Sequence, residues 1–210
     1  MKSQIESYIE EHIGAVSFVY HEIVSDEVHI DIQVVNPSEK RNSYTLITSG
    51  MSDQPMTVPP GKESYRYTEL TLSLPASWPM SEVELQEDKN YWPVRWLKTL
   101  ARLPHHQNTW VSLGHTIPNG NPPMPFSSAT KLCGWILSVP LLFGREFGCL
   151  QIDNEKSINF FSVVPIYKEE MEFKLRKGAR PLIERLVRNK VNEIVNLNRQ
   201  NVCKKRFGLF

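Results

Sequence analysis

The chain has 210 residues, 40% of them hydrophobic and 22% charged, enough apolar length for one sizeable core and unlike the polar composition of a disordered chain. With 24 Lys and Arg against 23 Asp and Glu, it lacks the basic excess that would displace counterions from a phosphate backbone, so nucleic acid is disfavoured as a partner. Residues 1–14 lack the apolar run of a secretory signal, no apolar run approaches the about 18 residues of a membrane span, and Cys133, Cys149 and Cys203 lack CxxC spacing and suit reduced thiols; the expectation is a cytoplasmic protein.

Ser3 and Glu6 have capping-box spacing, and Ile5, Tyr8, Ile9 and Ile13 recur at helical spacing up to Gly14, which predicts an opening amphipathic helix. Residues 15–24 are rich in β-branched and aromatic side chains. Val28, Ile30, Ile32 and Val34 then alternate with His29, Asp31 and Gln33, so two strands turned at Ser25-Asp26 follow. Residues 44–48 predict a third strand, 49–64 a loop with two Gly and three Pro, and 65–74 a fourth strand with Leu70, Leu72 and Leu74 on one face. Pro93 suits a helix start, Trp96, Leu97, Leu100 and Ala101 form a stripe, and Pro104 suits its end.

Strand patterns recur at 110–113, 132–139, 147–152 and 158–166, around a Pro-rich loop at 118–125. The period then becomes helical: 168–176 closed by Gly178, and a helix opened by Pro181 with Ile183, Val187, Val191 and Ile194 at i, i+4 spacing. Beyond Asn196 the chain is polar, then basic through Lys204, Lys205 and Arg206, with Phe207, Leu209 and Phe210 last. The expected organisation is one domain over 1–195 and a basic tail over 196–210. Helices before, within and after a strand meander predict an α+β fold with a mixed, mostly antiparallel central sheet and helices packed against it.

Candidate chemistry is thin. His29 and Asp31 share one strand face, and with His105, His106 and His115 a metal site is conceivable, but the spacing matches no compact metal motif and a polar strand face is solvated anyway. Ser49 and Ser52 lie in the loop TSGMSDQPM without GxSxG, where Ser52 and Asp53 bond local backbone and Gly50 supplies positive φ. No cofactor motif is present. Two acidic runs, Glu82, Glu84, Glu87 and Asp88, and Glu169 and Glu170 with Glu172, read as solvated surface or as a lure for a basic partner. The segment from Trp92 to Gly120 concentrates Trp92, Trp96, Trp110 and His115 around turns; on the helix the tryptophans read as core, and after it as a partner anchor.

Trp92-Pro93, the run Leu100-Ala101-Arg102, Asn108-Thr109 and Gly114-His115, together with Gly50-Met51-Ser52-Asp53 and Glu69-Leu70-Thr71, resemble the suppressor of fused family. VHIDIQVV at the front and VVPIYKEEMEFKLRKGARPLIERL at the back resemble its bacterial members, so the likeness spans about Glu22 to Leu186. The resemblance implies a binder rather than an enzyme. Animal members hold a peptide as an added strand between two domains, and the second domain has no counterpart here. Single-domain bacterial relatives look like immunity proteins that neutralise a cognate protein toxin, with a nuclease among the candidates because the acidic runs suit a basic cleft. The expected partner surface comprises Gly50, Ser52, Asp53, Asn108, Thr109, Trp110, Gly114, His115 and Asn119, with the acidic runs secondary and no cofactor or metal. The alternatives are a signalling or scaffold module that adds a peptide strand to its sheet, and a metal-dependent hydrolase using His29, Asp31 and His115. Oligomeric state is not legible.

Overall fold

In a computed structural model that describes residues 2–22 and 28–204, eight strands form one sheet. They are β1 (Phe18–Tyr20), β2 (Asp31–Val35), β3 (Ser43–Ser49), β4 (Thr68–Pro75), β5 (Thr116–Pro118), β6 (Gly134–Ser138), β7 (Cys149–Gln151) and β8 (Ser157–Ile166). The helices are α1 (Lys2–His12), α2 (Asp88–His106), α3 (Lys168–Lys177) and α4 (Ala179–Arg188). The sheet runs β1-β2-β3-β4-β8-β6-β5, with β7 pairing the front of β8. The meander β1 to β4 is antiparallel throughout, whereas the long excursion through α2 returns β8 parallel to β4. The α+β, mostly antiparallel architecture is the one expected from the pattern.

Alternation along each strand divides the core. Ile32, Val34, Leu46, Leu70, Leu72 and Trp135 face α2, whose Trp92, Leu97, Leu100 and Ala101 complete the main cluster. On the opposite face two smaller clusters form: Ile5 and Ile9 of α1 with Val35, Ile47, Phe147 and Phe160, and Met171, Leu182 and Leu186 of α3 and α4 with Ile136, Val164 and Ile166.

Four expectations need correction. Residues 110–113 are not a strand: His115 N–H bonds the Ser112 carbonyl in a turn, Gly114 takes φ +79°, and the ladder with β6 begins only at Thr116. The first strand is only three residues long, not ten. Helix α2 begins at Asp88, so Pro93 and Pro104 lie inside it; burial of the Trp92, Leu97 and Leu100 face outweighs the lost backbone bonds. The last helix stops at Arg188, and its buried face is Leu182 and Leu186; of the expected stripe Ile183 and Val191 pack partly buried against that cluster, whereas Val187 is 62% exposed and Ile194 lies beyond the helix. The Ser25-Asp26 turn, residues 205–210 and the Ser3 side chain lie outside the described part. Residues 196–204, expected to begin a tail, lie against the body through Thr130 Oγ1 to Leu197 O and Tyr167 Oη to Arg199 O.

Candidate partner-binding surface

The loop after β3 is wound around one carboxylate. Glu69, fully buried on β4, receives the N–H groups of Gly50 (3.1 Å) and Ser52 (2.9 Å) and the Ser52 hydroxyl (2.6 Å) on Oε1, and the Thr48 hydroxyl (2.6 Å) on Oε2. Burial pushes the Glu69 carboxyl above its ordinary range, and these donors offset only part of the rise. Gly50 is required twice: its φ is +119°, and a Cβ there would run into the His29 carbonyl oxygen. Ser52 is also fully buried, so both residues build the loop rather than touch a partner. Asp53 is the exposed member of the expected trio.

His105, near the end of α2, joins this loop to the next: its Nε2 lies 3.0 Å from the Met51 carbonyl. The chain leaves α2 through exposed Asn108, which adopts φ +47°, into half-buried Thr109 and Trp110. The Trp110 ring meets Tyr65 at 5.9 Å and His115 edge-on at 4.7 Å. Burial lowers the His115 pKa, and the Lys174 charge adds to the effect. Gly114 is buried, a Cβ there meeting Ala179 of α4. Tyr65 and Leu113, the latter 45% exposed, join this patch and were not expected in it; an apolar residue just before a turn glycine was the available signal for Leu113. Asn119 instead braces the following loop, its Nδ2 donating to the Met124 and Pro125 carbonyls.

Between these residues runs β5, the terminal strand of the sheet order. Leu137 N–H bonds His115 O, and Asn119 N–H bonds Cys133 O. By antiparallel alternation, the N–H and C=O of Thr116 and the C=O of Pro118 therefore point away from β6. Such an edge can take another strand.

The acidic runs differ from expectation. Glu82 is exposed, but Glu84 is held by the Ser81 hydroxyl (2.5 Å), Glu87 by Lys89 (2.6 Å) and Asp88 by Arg95 (2.7 Å). Glu169 is exposed, whereas Glu170 is fully buried and paired with Arg199, and so leaves the acidic surface altogether. The polar face of β2 is not solvated either: Asp31 is 3% exposed and meets His29 Nε2 at 2.9 Å and His21 Nδ1 at 3.1 Å. Among the described residues no three His, Cys, Asp or Glu side chains are grouped to hold a metal ion, and the Ser52 hydroxyl donates to Glu69 rather than to a histidine. No described helix is long and apolar enough to cross a membrane.

This α2-covered mixed sheet is a fold found in solved structures. A suppressor of fused homologue from Neisseria gonorrhoeae superposes with TM-score 0.70 at 16% identity, covering 98% of each chain. A Sufu–Fu complex structure gives 0.68 at 17% identity, over 96% of this chain and 91% of the other. Drosophila suppressor of fused gives 0.65 at 16% identity over 95% of this chain but only 50% of that one. The family model described as suppressor of fused protein matches residues 26–200, and the chain belongs to that family. No curated protein sequence matches it.

Proposed function

We propose that the protein is a non-catalytic binder of another protein, and that its partner is a toxin it neutralises by direct contact, as an immunity protein does. The observation that carries the binding role is the β5 edge: outward backbone groups at Thr116 flanked by half-buried Trp110 and His115 and by exposed Leu113. The toxin assignment follows the resemblance of the sequence to single-domain bacterial relatives, and the Sufu–Fu structure is one in which a relative is held with another protein. The product of the neighbouring reading frame is the first candidate toxin. Its expression alone should kill cells, and co-expression with this chain should rescue them, with the two proteins co-purifying. Trp110→Ala should weaken capture by about 2 kcal/mol, on the order of 30-fold. Toxicity without rescue, or rescue without a complex, would refute the assignment.

The β5 edge also favours a second reading, a module that captures extended peptides by strand addition without any toxin. Thr116→Pro removes the outward N–H while leaving the ladder to β6, and discriminates: it abolishes peptide capture if a strand is added, and leaves it intact if side chains alone bind.

A further inference from the structure

Away from Trp110, between α4 and the sheet, lies a groove of about 420 Å³. Its floor includes Ile136 on β6 and Val164 on β8, both nearly fully buried, and its walls include Leu141 and Leu142 on one side and Val187 on the other. Those three wall residues are 58%, 36% and 62% exposed, and they are three of the seven large apolar side chains that the described residues expose. Soluble proteins rarely gather such residues around one depression without a use for it.

The groove is preformed. Glu193 at its edge accepts from Ser162 Oγ (2.5 Å) and from the Leu142 N–H (3.2 Å), which ties the leucine loop to the chain after α4. Gly144 ends that loop at φ +87° and ψ 161°, a conformation essentially reserved to glycine. Because both Glu193 oxygens are engaged, the charge at the rim is that of exposed Lys190. The stretch of chain that supplies α4 is basic in sequence: residues 168–204 hold ten Lys and Arg against five Glu, with Glu170 neutralised by the buried side chain of Arg199, while residues 1–167 hold twelve against eighteen Asp and Glu. The near-zero net charge conceals this division.

We infer that the groove docks an acidic amphipathic helical segment of the protein partner, its apolar face between Leu142 and Val187 and its carboxylates toward Lys190. This rests on the reading of the protein as a binder of proteins. A recessed floor between rigid walls suits a peptide better than a bilayer, which needs projecting apolar side chains.

Methyl NMR of the full chain tests it, with a synthetic helical peptide carrying Leu at i, i+3, i+4 and i+7 and Glu between them, and a twin carrying Lys for Glu. The acidic peptide should shift the Leu141, Leu142 and Val187 methyls. Val187→Glu should weaken it at least tenfold, Lys190→Glu about threefold, and the Lys twin should bind at least tenfold more weakly. Unshifted methyls, equal binding of the twin, or capture by phosphatidylserine vesicles in place of the peptide would overturn the inference. Toxin rescue is read separately: its absence in the wild type counts against the proposed function, whereas rescue and capture fully kept by Val187→Glu remove the groove alone.

Discussion

Glu69 shows how a residue with the look of function is consumed by structure. Its carboxylate takes four donors from Thr48, Gly50 and Ser52, so truncation strands all of them in the interior. Glu69→Ala should cost about 3 kcal/mol or more, whereas Glu69→Gln keeps the three donors to Oε1 and should cost about 1 kcal/mol, both read as shifts in urea midpoint. The two states also titrate differently. Burial raises the folded-state pKa above the unfolded value, so between the two the native state binds more protons. Wild-type stability relative to Glu69→Gln should therefore fall as pH rises from about 4.3 upward. An advantage that grows with pH would show that the donors outweigh desolvation. The glycine turn of this loop was legible in its composition; the carboxylate it surrounds was not, because the alternation of Leu70, Leu72 and Leu74 says only that Glu69 faces the other way, not that the other face is covered.

At the scale of elements, α2 carries the main core. Trp92 is fully buried, stacks on Phe126 at 4.9 Å and 2°, and meets Trp135 at 5.8 Å. Trp92→Ala should lose about 3–5 kcal/mol. Its Nε1 has no hydrogen-bond partner among the described residues, so Trp92→Phe should lose roughly half as much, as measured by chemical denaturation. Equal losses would show that the indole N–H is engaged. The Leu97, Leu100 and Ala101 stripe of this helix was readable from its period, but its ends were not: prolines mark boundaries only when tertiary burial does not carry the helix through them, as it does at Pro93 and Pro104. The strand expected over 110–113 failed for a related reason. Trp110 and Val111 have strand propensity, yet Gly114 turns the chain and passes the ladder to Thr116.

For the whole molecule, the consequential long-range link joins the chain after α4 to the start of α3. Arg199 forks onto Glu170, Nη1 to Oε1 at 2.8 Å and Nη2 to Oε2 at 2.5 Å, donates to the Pro165 carbonyl and lies over the Tyr167 ring at 4.8 Å. Glu170 also accepts the Tyr167 and Val202 N–H groups. In sequence, Glu170 reads as one of a solvated acidic run and Arg199 as the start of a polar tail. Twenty-eight residues separate them in the chain, and neither periodicity nor composition encodes their meeting. Breaking a buried pair leaves an uncompensated charge, so Arg199→Ala should destabilise the protein by about 3–5 kcal/mol, while Met at both positions should recover only the part owed to that charge, because the Tyr167 and Val202 N–H groups and the Pro165 carbonyl stay without their partners. Guanidinium unfolding of the single and double variants decides the matter. A single variant within about 1 kcal/mol of the wild type would mean that residues 196–204 rest on the fold without helping to hold it.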